Sequence, residues 1–203
     1  MVHRILLCLA LLLSLAACAA QPKWASDAEV SRAVYVHDGP PSITLFTVLN
    51  NRSNEGAHSG LLINGSQRVM FDPAGTWYHP NLPERNDMHF GMNDKAVAFY
   101  IDYHARETFR VVEQTVTVTP AQADAAIRLA MSYGAVRKSM CARSISSILQ
   151  GVPGFEDTPS TLHPKKLMKS FGKRPGVVER TITDTDADNN HGVLLRQAGI
   201  APQ

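Results

Sequence analysis

The chain has 203 residues, 44% hydrophobic, 19% charged and 7% aromatic, with a formal net charge of +2. Such ordinary globular composition excludes disordered, collagenous and disulfide-scaffold proteins, and the small charge argues against a nucleic-acid partner. No apolar run reaches the ~18–20 residues of a membrane-spanning helix, which excludes a channel or pump. One domain is expected. A unit of this size buries roughly 70% of its unfolded surface, enough for a real core.

The chain opens with Arg4 and then an apolar run, Ile5 to Leu15, interrupted only by Ser14. A basic start followed by a short apolar stretch is the pattern of an export signal. Leu15-Ala16-Ala17-Cys18 resembles the bacterial lipobox, in which the cysteine is acylated and becomes the mature N-terminus. That resemblance implies a lipoprotein anchored in the bilayer through acylated Cys18. Ala19, where an aspartate is absent, implies the outer membrane, facing the periplasm. Acyl chains bury methylenes at about 0.8 kcal/mol each, so several of them hold firmly. An ordinary cleavage site with Cys18 incidental is the alternative. The expected organisation is a signal peptide over 1–17, a lipidated cysteine and tether over 18–30, and one domain over 31–203.

Ser42 to Leu49 is β-branched and aromatic behind Gly39-Pro40-Pro41, and reads as a strand. His58–Ile63 and Arg68–Asp72 flank Asn64-Gly65, a strong hairpin signal. Residues 73–95 read as a long loop, and Lys95–Ile101 and Phe109–Val118 as two further strands. Thr119-Pro120 supplies an N-cap and a first-turn proline for a helix that ends at Gly134. A second helix is expected from about Ser139 to Gln150, and a short third over about His163 to Phe171. Strands followed by helices give an α+β fold.

Of the three cysteines, Cys8 leaves with the leader and Cys18 carries lipid, so Cys141 is left without an internal partner. With Ser139 as N-cap, Cys141 falls in the first helical turn, where free N–H groups and the positive dipole end favour a thiolate. Ile145, Ile148 and Leu149 share its face. The helix alone leaves two readings open: a nucleophile, or the first residue of a core stripe. His58 stands on a strand ahead of Leu61-Leu62-Ile63, where an imidazole base is rigidly held. Asp72 closes the neighbouring strand and is positioned to orient it. Direct pairing of His58 with Asp72 leaves the loop Asn64-Gly65-Ser66 and sets both on one face, because side chains alternate with period two.

The residues Ala57-His58-Ser59-Gly60-Leu61-Leu62-Ile63, then Phe71-Asp72-Pro73, then Cys141-Ala142-Arg143-Ser144-Ile145 with Leu149 resemble the circularly permuted NlpC-type papain-like superfamily. Its YiiX-like and lecithin–retinol acyltransferase-like branches share this order of motifs, and the likeness covers roughly residues 42–152. It implies a permuted papain-like fold, an antiparallel sheet packed against helices with the nucleophile at a helix N-terminus. It further implies Cys141 as nucleophile (a thiol-protease or acyltransferase chemistry), His58 as general base and Asp72 as the orienting group. No cofactor or metal is implied. Met140 stands where a small polar residue often precedes the cysteine, which leaves the backbone N–H of Cys141 as oxyanion donor. Peptidoglycan stem peptides or lipids are the substrates implied by such a setting; a non-catalytic envelope lipoprotein using the same fold for binding is the alternative.

Other constellations are weaker. His79, His89, His104 and Asp102 have no metal-ligand spacing. Asp184-x-Asp186-x-Asp188 starts like a calcium loop but has Asn189 where Gly is required and Leu195 at the twelfth position. Lys165, Lys166, Lys169, Lys173 and Arg174 read as a solvated helix face.

Overall fold

The structure is a computed structural model that describes residues 20 and 22–199. The leader and Cys18 lie outside the described residues, and no helix among those described is long and apolar enough to cross a membrane. In chain order the elements are α1 (Asp27–Arg32), β1 (Ser42–Asn50), β2 (Gly56–Asn64), β3 (Arg68–Phe71), β4 (Glu84–Arg85), β5 (Met88–Phe90) and α2 (Asp94–His104). Then follow β6 (Phe109–Thr117), α3 (Pro120–Tyr133), α4 (Cys141–Gln150), α5 (Pro164–Phe171), β7 (Val178–Ile182) and α6 (Asn190–Ala198). The segment before α1, expected to be tether, is docked: Trp24 bridges to Arg85, and Ala25 N–H donates to Glu84.

The seven strands form one antiparallel sheet in the order β4-β5-β3-β2-β1-β6-β7, so the class is α+β. Its two faces are covered by different helices. Ile43, Leu45, Leu61, Ile63, Val69 and Phe71 point to one side and pack against α3, α4 and α5 through Ala126, Ile145, Leu149 and Phe171. Phe46, Val48, Leu62 and Met70 point to the other and meet Tyr100 and Tyr103 of α2 and Val193 of α6. Both faces are therefore buried. This explains why β1 reads as a nearly continuous apolar run and not as an alternation.

Four local expectations need correction. Residues 95–101 are not a strand: they lie within α2, capped by the Asn93 side chain, which accepts from the Ala96 N–H. Ala96, Tyr100 and Tyr103 are its buried residues, at helical spacing, and a short apolar run cannot by itself tell the two periods apart. The loop over 73–95 also contains the β4–β5 hairpin. The β2–β3 register is Leu61↔Phe71 to Asn64↔Arg68, so the turn is Gly65-Ser66-Gln67 and Asp72 lies level with Gly60, two residues from direct pairing with His58. A slip of two preserves the face, and the two side chains still meet on one side.

Ser139 does not cap α4. Its φ is +67°, and Met140 occupies the cap position with no side-chain hydrogen bond. The first-turn N–H groups of α4 are consequently not consumed by a cap.

Candidate active site

β3 parts from β2 after the Leu61–Phe71 pair, leaving Gly56–Gly60 without a partner on that edge. Three segments converge on this opening. Cys141 arrives from the face covered by α4, as that helix's first residue. His58 projects from β2 toward the α2 face, and Asp72 sits one residue past the end of β3. The structure thus brings all three sequence-predicted residues together.

His58 Nε2 lies 2.6 Å from Asp72 Oδ1. Tyr100 donates its hydroxyl to the same oxygen at 2.9 Å. The His58 ring also hydrogen-bonds the Cys141 side chain, whose sulfur receives the backbone N–H groups of Ser59 and Ala142. Asp72 and Tyr100 are fully buried, and the His58 side chain is 16% exposed.

The electrostatics follow. Burial works against a charged His58, but the Asp72 charge and hydrogen bond outweigh it, Cys141 adds to them, and the imidazole is pushed up to about 10. Burial pulls Asp72 the other way and loses to His58, so the carboxyl is held well below the usual range. Burial also opposes a Cys141 thiolate. The His58 hydrogen bond and charge, then the two N–H groups, overcome it and lower the thiol. These shifts favour the thiolate and the imidazolium as partners beside an ionised carboxylate, a three-group relay.

Sequence reasoning missed the groups that hold this relay. His104 lies parallel to His58, ring centroids 5.5 Å apart and planes within 7°. Its Nδ1 donates to the Tyr100 carbonyl at 2.8 Å, so Nε2 carries no proton in the neutral ring. Burial, joined by the His58 charge, pushes His104 down to about 4 against the pull of Asp72. Gly60 leaves room for Tyr100: a Cβ there would sit 2.2 Å from the hydroxyl oxygen. Gly75 does the same for Asp72, with a Cβ position 1.8 Å from Oδ2. Reading residues 95–101 as a strand hid Tyr100 and His104, one helical turn apart; the Asn93-Asp94 cap was the available signal.

A cavity of about 350 Å³ opens beside His58, walled by Val48, Ala57, Thr76, Tyr103, His104 and Asn190. Asn190 of α6 is fixed there by its bond to the Tyr103 carbonyl. Across Ala74–Thr76 lies a more charged groove with Lys23, Glu84, Asp87 and Lys138.

Two groups of metal-ligand type occur among the described residues, His58–Asp72–His104 and Asp102–Asp184–Asp186. In the first, nitrogen and carboxylate are already bonded to each other and to Tyr100. In the second, the buried Arg106 guanidinium bonds both Asp102 and Asp186 and supplies the positive charge. The other imagined ligands are dispersed: His79 bonds the Gln197 carbonyl and His89 packs on Trp77. Asp188 bonds the Thr108 hydroxyl. No family model, curated protein or solved structure matches the chain.

Proposed function

We propose that the protein is a cysteine hydrolase or acyltransferase of permuted papain-like architecture, held to the bacterial outer membrane through acylated Cys18. Cys141 is the nucleophile, His58 the acid–base and Asp72 the orienting group. The observation that carries the reading is the hydrogen-bonded sequence of thiol, imidazole and carboxylate at the start of α4. A structural cysteine needs no such chain, and burial would raise its thiol instead of lowering it.

In the proposed cycle the Cys141 thiolate attacks an amide or ester carbonyl, forming the C–S bond. The backbone N–H of Cys141 stabilises the oxyanion. Collapse breaks the C–N or C–O bond, and His58 gives its proton to the departing amine or alcohol. His58, now neutral, takes a proton from water or from an acyl acceptor, which attacks the thioester and releases Cys141. The periplasmic setting favours peptidoglycan stem peptides as the amide source. Lipids are the ester source.

The test uses iodoacetamide, which needs no knowledge of the substrate. The folded protein's Cys141 is expected to alkylate at pH 6 at least tenfold faster than the same thiol in the unfolded chain. His58→Ala is expected to abolish the difference. Rates equal in folded and unfolded chains would leave a binding lipoprotein as the better reading.

A further inference from the structure

Asp87 belongs to no part of that cycle, yet it touches the segment that carries Asp72 and the link that leads to Cys141. It stands in the β4–β5 turn at φ +67°, next to Asn86 at φ +46°, a left-handed pair that a β-hairpin turn of this kind requires. Its backbone carbonyl accepts the Asp72 N–H at 2.8 Å. Its side-chain Oδ2 accepts the Val136 N–H at 2.7 Å. The carboxylate also receives the N–H of Ala74, two residues past Asp72. Val136 is buried in the core and lies in the short link that leads to Cys141.

We infer that Asp87 is a positioning residue whose carboxylate clasps the link leading to Cys141 against the segment following Asp72. The inference rests on the nucleophile reading above and extends it to how the two halves of the relay are kept in register. Two backbone donors from different segments share this one carboxylate. Ionised, both oxygens accept with the strength of a charged partner; protonated, one becomes a donating hydroxyl and the hold on the two N–H groups weakens. The clasp therefore depends on ionisation.

The surroundings set where that ionisation falls. Burial is the main force raising the Asp87 carboxyl, which the two N–H groups oppose and the nearby Asp72 and Glu84 charges reinforce, bringing it to about 6. Lys23 and Lys138 also line this groove, with Lys23 ion-paired to Glu84 at 2.7 Å. As pH falls through about 6 the clasp opens, and the thiolate loses its fixed place beside His58.

The experiment measures iodoacetamide alkylation of Cys141 from pH 4.5 to 8.5 in the parent, Asp87→Asn and Glu84→Gln proteins, with thermal unfolding of each. The parent rate is expected to step upward near pH 6. Asp87→Asn is expected to stay folded with a cooperative melt, to lose that step and to run about tenfold slower at pH 7.5. Glu84→Gln removes a neighbouring negative charge and is expected to move the step to lower pH. A purely structural aspartate would lower stability and leave the profile in place. Folded Asp87→Asn with the parent's rate and step overturns the assignment. An unmoved step in Glu84→Gln overturns it as well, and decides the matter if Asp87→Asn does not fold. A parent Cys141 that reacts as an ordinary thiol strikes instead at the nucleophile reading and removes this assignment with it.

Discussion

Gly60→Ala tests the packing beneath the relay. β2 cannot give way easily at Gly60, because its backbone is paired with β1 at Phe46. The new methyl would lie 2.2 Å from the Tyr100 hydroxyl oxygen and 3.0 Å from its ring carbon. Tyr100 is itself fully buried and wedged between Phe46, Trp77 and His104. Two terms add. Losing a hydrogen bond to a buried carboxylate costs about 1.5–3 kcal/mol, and overpacking a rigid site costs about 1–3 kcal/mol. A destabilisation of about 2.5–6 kcal/mol is expected. At about 2–4 °C per kcal/mol for a domain of this size, the melting temperature falls by roughly 5–24 °C. Tyr100→Phe carries only the first term. In the double variant the closest clash and the lost hydrogen bond concern the same hydroxyl, so its cost should fall short of the sum by at least about 1.5–3 kcal/mol, the bond counted twice. Denaturant melts of the four proteins measure the cycle. Strictly additive costs would refute the argument that the missing Cβ at residue 60 exists to admit this hydroxyl.

The relay also has a pH signature in stability. His58 is raised above its ordinary 6.5, so its contribution is full below that value and fades as pH climbs toward about 10. Asp72 is lowered from 3.8, so its contribution is present above that value and is lost on acidification. Asp72→Asn should therefore be most destabilised relative to the parent between about pH 4 and 6.5, by about 3–5 kcal/mol for a broken buried pair. The gap should narrow steadily toward pH 10; a gap of constant size across that range would contradict the ion pair. Gly75→Ala pushes a methyl to 1.8 Å from Asp72 Oδ2 and must displace the carboxylate from His58. Its iodoacetamide rate at pH 6 should drop at least fivefold, and an unchanged rate would show that Asp72 does not hold the imidazole.

The motif residues were legible for local reasons. Cys141 stands directly ahead of an amphipathic helical stripe, His58 within a strand pattern, and Asp72 at the foot of the next strand, and each of these patterns spans fewer than a dozen residues. The face shared by His58 and Asp72 survived an error of two in register because side-chain direction repeats every two residues. The Thr119–Gln122 capping box and Gly134 likewise marked α3 without reference to the rest of the chain.

The sequence by itself determined the α+β class, most of the strands, the helix that carries the thiol and the identity of three chemically suited side chains. Tertiary structure decided that those three meet, and what surrounds them. Residues 95–101 have one apolar pattern that suits either period, and only packing against Phe46 and Trp77 makes Tyr100 a partner for Asp72. Asp87 looks like any turn aspartate until the Val136 and Ala74 amides are brought to its oxygens from segments far away in the chain. Ionisation likewise depends on which charges and how little water lie within a few ångströms. Those distances are set by long-range contacts that residue order alone does not encode locally.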